Sequence, residues 1–424
     1  MNVKKVIENR HVVLWALFIA AFVLRGWGLS SQPPLIDEVT SAFDATNYLS
    51  HGLFGQVMWY HPQLRNIIVY LSGELFGGFS AWGLRFGSLL LASLTVPVLG
   101  YLCHALFQRT AAAYLAAFFL CIDPLHIMVS RESFQETTTC FFIVSGVLAA
   151  FQCLKNDRMA WGYLSGILFG LASASKWHGL FPWLFSAFTF LFAPWIIPAH
   201  TGDRAFHRRA LHAAAAFIAL PVTVYVAVHI PWLMRGYSLG EFADLQLWLA
   251  KHQYYYKSEF YTEDFLSHRA YQWFLWPVAW VDFVSSQGQT YLGIGFGNML
   301  VWWLTLPALA YAIRRWVHQR SFPLGYVVLL FLISYLPLIL TTRSIWVFAA
   351  PAVLPFAFLL SAYAVSDLLA NKKISQRLLW GYLAVALGIS AVLYPLATFK
   401  TLDYSWARPL ADRYSPHQGD LPRH

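Results

Sequence analysis

Asp37 and Glu38 stand side by side just after Pro33-Pro34, where the first long apolar stretch ends, in a chain with only 12% charged residues. His51, His61-Pro62 and Arg65 follow closely. Acid, imidazole and guanidinium at one end of an apolar segment can move protons beside a bound anion. A local reading competes with this one. Two carboxylates at the start of a helix over Val39–Leu49 would cap it and face its dipole.

The surrounding elements decide where such a site would sit. The 424 residues are 58% hydrophobic and 18% aromatic, whereas a soluble chain carries about 25% charged residues. The apolar runs recur at about 20 residues, the length that crosses a ~30 Å hydrocarbon core. The reading is an all-α polytopic membrane protein. Its net charge of +9 falls in short clusters between spans, as topology requires, and is no footprint of nucleic acid. The 19 Trp and 22 Tyr suit interfacial belts. Cys103, Cys121, Cys140 and Cys153 lie in apolar runs without metal-ligand spacing and read as buried free thiols. The basic start and apolar core of residues 1–30 lack a small-residue cleavage site, so they read as an uncleaved span.

Lys4, Lys5 and Arg10 place the N-terminus inside and the acidic pair outside, within a first external loop over 30–83. Pro62–Phe79, which contains Arg65 and Glu74, reads as an interfacial or re-entrant helix. Spans are then expected at Val12–Leu29, Leu84–Phe107, Ala111–Asp123, Phe134–Leu154, Trp161–Ser175, Gly179–Ile197, Leu211–His229, Tyr291–Ile313, Leu324–Leu340, Ile345–Leu368 and Trp380–Thr398. That makes eleven, with every internal loop basic. The external loop 231–289 reads as amphipathic segments on the surface. No repeat or low-complexity tract divides residues 1–424, which form one membrane domain.

This topology gathers Asp37, Glu38, His61, Arg65, Arg85, Asp123, His126, Arg131, Glu132, Glu136, Lys176, His178, His229 and Arg343 at one surface. Ionisable groups at membrane depth are costly and mark function by default. Cations are disfavoured outside, so Arg65, Arg85, Arg131, Lys176 and Arg343 call for an anion such as a lipid phosphate. Internal pairing, for example Arg131 with Asp37 or Glu132, is the alternative. Arg85 reads as an anchor for the acidic loop. A carboxylate beside a lipid-phosphate sugar could deprotonate an acceptor hydroxyl while cations stabilise the departing phosphate. Trp273 and Trp276 could stack on a sugar or serve an interfacial belt. No cofactor is required, although a divalent cation could bind at Asp37 and Glu38.

The acidic pair, His61-Pro62-Gln63-Leu64-Arg65, Leu84-Arg85-Phe86-Gly87-Ser88, Pro124-Leu125-His126-Ile127 through Arg131, Ser175-Lys176-Trp177-His178-Gly179-Leu180-Phe181, Trp276-Pro277, and Gly297-Asn298 through Trp302-Trp303 occur in that order. Together they resemble the protein O-mannosyltransferases, membrane glycosyltransferases of the GT-C class. Gln63 replaces the second proline of the family's His-Pro-Pro run. Gly87 replaces the proline of its Phe-Arg-x-Pro-Ser run, and Glu136 stands where an aspartate is usual. The resemblance implies a GT-C fold with about eleven spans and a polyprenyl-phosphate sugar donor. It also implies Asp37 as the base, with Glu38 beside it. His61, Arg65, Arg131, Lys176 and Arg343 would lie on the donor phosphate, with Arg85, Glu136, His178, Trp273 and Trp276 structural or on the acceptor side. The best specific expectation is mannose transfer to protein Ser or Thr from the external face of a bacterial inner membrane. The alternatives are another sugar on a lipid or glycan acceptor and, in a different class, a transporter. A transporter would expect inverted repeats and mid-depth charges, and neither occurs.

Overall fold

A computed structural model describes residues 9–32, 34–52, 61–196, 210–255, 269–286, 289–341 and 345–400. Helix α1 (Arg10–Gly26) starts where the Asn9 side chain accepts the His11 N–H at 3.1 Å. Helix α2 (Ile36–His51) carries the acidic pair, and α3 (Leu64–Leu75) lies where the interfacial helix is expected. Helix α4 (Ala81–Phe107) is capped by Ser80, whose Oγ accepts the Gly83 N–H. It ends at Gln108 in the left-handed region, φ +53°. Helices α5 (Thr110–Ile122) and α6 (Pro124–Arg131) meet at Asp123 with a bend of 56°. Pro124 explains the break, because it cannot donate into a continuing helix.

Helices α7 (Gln135–Asn156), α8 (Met159–Ser175) and α9 (Leu180–Ile196) follow. Helix α10 (Leu220–Val228) is entered through a π-turn at Ala215–Ala219. Helix α11 (Leu239–Tyr255) precedes strands β1 (Ala279–Ser286) and β2 (Gln289–Phe296), which pair antiparallel with Ala279 opposite Phe296. Helices α12 (Thr305–Gln319), α13 (Phe322–Leu340), α14 (Leu354–Ala370) and α15 (Gln376–Ala397) complete the described elements.

Among the described residues, six helices are long and apolar enough to cross a membrane, or seven if the bent α5–α6 pair counts as one span. Each of the eleven expected segments overlaps a helix, but several of those helices are shorter than a span. The core forms where α4, α5, α7 and α14 meet, filled by residues such as Val96, Phe119, Val147 and Phe358. The four cysteines are free and buried there, as expected. Gly87 explains how α3 seats on α4: a Cβ there would overlap Ile68, and its N–H donates to Ser72 Oγ at 3.0 Å.

Two expectations need correction. Tyr291–Ile313 is not one span, because its first residues complete β2 and α12 begins only at Thr305. Leu292, Ile294 and Phe296 stand two residues apart with Gly293 and Gly295 between them, a strand period that a count of apolar residues overlooks. Accordingly 231–289 holds more than surface helices, since it also contains the first strand of that hairpin. The hairpin packs against α6 and α15, which brings the C-terminal half onto the acidic loop.

Candidate active site

Glu38 lies in the first turn of α2, and its Oε2 accepts the Leu35 N–H at 2.9 Å. That is the capping role the local reading expects. The same carboxylate is gripped by Arg85 from α4, with Nε on Oε1 at 2.7 Å and Nη2 on Oε2 at 2.6 Å. Arg85 Nη1 also donates to the carbonyls of Leu29 (3.2 Å) and Gln32 (3.0 Å). One guanidinium therefore ties the end of the first span, the linker and the start of α2 to the second span. Leu35 adds an apolar anchor beside Met128, Ala397 and Phe399. Asp37 is thus carried on backbone fixed from both sides; its side chain lies outside the described residues.

Arg131 and Arg65 donate to backbone carbonyls. Arg131, at the end of α6, donates from Nη1 to the carbonyls of Arg25 (2.6 Å) and Trp27 (2.9 Å). Its Nε and Nη2 carry no hydrogen bond among the described residues, although it is fully buried. Arg65 Nε donates to the Ser133 carbonyl at 2.7 Å, steadying a turn in which Ser133 takes φ +56°. Arg343 lies outside the described residues.

Lys176, at the end of α8, pairs with Glu136 of α7 and stands 5.7 Å from the centre of the Phe348 ring. Its side chain keeps 11% exposure, because it borders a cleft of about 240 Å³. His61, Lys176 and His178 are the ionisable groups that line that cleft, and Phe181, Leu249 and Leu338 are among its apolar walls. Trp177 Nε1 donates to Tyr225 Oη at 3.1 Å, and Tyr225 donates to Gln246 Oε1 at 2.6 Å, so the short turn Trp177–Gly179 after α8 is joined to α10 and α11 beside the cleft. His229, just past α10, donates from Nδ1 to the Tyr225 carbonyl at 2.9 Å.

Of the residues singled out in the sequence, the structure therefore brings His61, Lys176 and His178 to one cleft, with Glu136 behind the lysine. Arg65 and Arg131 do not line it. Trp273 is fully buried against Tyr335, whereas Trp276 is 63% exposed. Sequence reasoning missed Arg25, Tyr225 and Gln246. It also missed the role of Asp123, which accepts from the His126 N–H at 2.9 Å and from Trp302 Nε1 at 2.8 Å. Arg25 had a readable signal, being a lone cation near the end of an apolar span.

A family model described as dolichyl-phosphate-mannose-protein mannosyltransferase matches residues 38–234. That stretch holds Glu38, His61, Arg85, Glu136, Lys176 and His178. A polyprenol-phosphate-mannose–protein mannosyltransferase of Corynebacterium glutamicum is 25% identical over 93% of this chain and 90% of its own. Over this stretch the chain is similar to the protein O-mannosyltransferases. Its fold is GT-C: the S. cerevisiae protein O-mannosyltransferase Pmt1-Pmt2 complex bound to the sugar donor superposes with a TM-score of 0.76 at 12% identity, over 95% of this chain and 92% of that one. ArnT from Cupriavidus metallidurans bound to undecaprenyl phosphate is similar at a TM-score of 0.59 and 17% identity, over 89% of this chain and 63% of that one.

Proposed function

We propose that this chain is a protein O-mannosyltransferase that transfers mannose from a polyprenyl phosphate to a Ser or Thr hydroxyl of a protein acceptor, with inversion at the anomeric carbon. The cleft is the observation that carries the reading. A cation and two imidazoles set among apolar walls suit a ligand with an anionic head and a hydrocarbon tail. Lys176 would hold the phosphate as a point charge, and His61 and His178 would donate to its oxygens. The Asp37 carboxylate would take the acceptor's hydroxyl proton as that oxygen bonds to the anomeric carbon. The bond from that carbon to phosphate breaks, and polyprenyl phosphate leaves with the electron pair. The names of the relatives support mannose and a protein acceptor.

The basic internal loops support an inside N-terminus and an external site, in a bacterial inner membrane. The reaction is read as needing no metal. A divalent ion shared by Asp37 and Glu38 fits poorly, because both Glu38 oxygens are committed to Arg85. Purified protein supplied with radiolabelled polyprenyl-phosphate mannose and a mixed acceptor pool, in buffer containing EDTA, tests these points together. Label in protein is expected. Label only in lipid or glycan would change the acceptor, and label appearing only after metal is restored would overturn the metal-free reading.

A further inference from the structure

Gln63 is fully buried beside the cleft, yet its side chain makes no cap for the helix it precedes. Its amide is used on the turn instead. Nε2 donates back to the His61 carbonyl at 3.1 Å, and Oε1 accepts from Asn66 Nδ2 at 2.7 Å. Asn66, in the first turn of α3, is itself buried. Two buried amides satisfying each other contribute little net stability over apolar side chains of similar shape. What they do supply is direction, because each bond fixes an atom of the turn that carries His61. His61 in turn lines the cleft.

We propose that Gln63 and Asn66 form a polar brace that sets the position of His61 on the cleft wall, making Gln63 a positioning residue for the lipid phosphate. This rests on reading the cleft as a polyprenyl-phosphate site. The backbone at Gln63 has φ −92° and ψ 0°, and its N–H makes no hydrogen bond among the described residues. Proline, which holds φ near about −65°, forfeits no donor here and would stiffen the same turn through its ring once the backbone tightens toward that value. The brace does by hydrogen bonding what a second proline after His61-Pro62 would do covalently.

Binding of radiolabelled undecaprenyl phosphate to the full-length protein in nanodiscs tests this. Q63L should weaken binding about tenfold, the scale of one positioned hydrogen bond, and Q63P should stay within about threefold of wild type. H61A should weaken binding, and H61A/Q63L should be no weaker than H61A alone, because the brace acts through that histidine. If Q63L does not fold, N66A takes its place in the same cycle. Effects of H61A and Q63L that multiply, or wild-type binding by Q63L, would overturn the brace. Absence of binding by wild type would instead remove the reading of the cleft, and the brace with it.

Discussion

Arg85 and Glu38 meet in a two-pronged ion pair, 2.6 Å at its shortest, with both side chains wholly sequestered from solvent. One comes from the second span and the other from the first turn of α2, so this contact sets where the neighbouring Asp37 is carried. A buried pair adds little over apolar packing, but losing one partner strands a charge at a cost of about 3–5 kcal/mol. R85A and E38A should each lower the unfolding temperature strongly and abolish transfer. R85M/E38M should recover most of the stability and none of the activity. Recovered activity in the double variant would show that the pair does not position the acid.

Lys176 and Glu136 allow stability and donor binding to be separated. K176A removes a charge-assisted contact proposed for the phosphate, worth about 1.5–3 kcal/mol, and leaves Glu136 buried without its partner. Donor kcat/KM should fall about ten- to a hundredfold, carried by KM, and the protein should be less stable. K176A/E136Q should regain stability while the donor KM stays high. A KM restored in the double variant would make Lys176 a structural partner of Glu136 alone.

Much of the architecture was legible because spans announce themselves by length and composition. The acidic pair, Arg85 and the Lys176 segment were legible because charges are rare enough in this chain to stand out. Arg65 and Arg131 show where that logic ends. A cation at a membrane surface reads the same whether it meets a phosphate or a backbone carbonyl, and these two meet the carbonyls of Ser133, Arg25 and Trp27. The hairpin escaped notice because strand and span are both apolar, and only the spacing of side chains separates them. Tyr225 and Gln246 were missed for another reason. Their partnership joins two helices about twenty residues apart, which no local pattern encodes.

The central claim is that a carboxylate carried by the Arg85-anchored turn activates the acceptor. Transfer of radiolabelled mannose from polyprenyl phosphate to a protein acceptor, comparing wild type with D37N, tests it most directly. D37N keeps the shape of the side chain and removes its basicity. The expected result is a loss of at least about a hundredfold in kcat, the lower end of what a general base contributes, with undecaprenyl phosphate binding and thermal unfolding unchanged. Transfer by D37N near the wild-type rate would contradict the account.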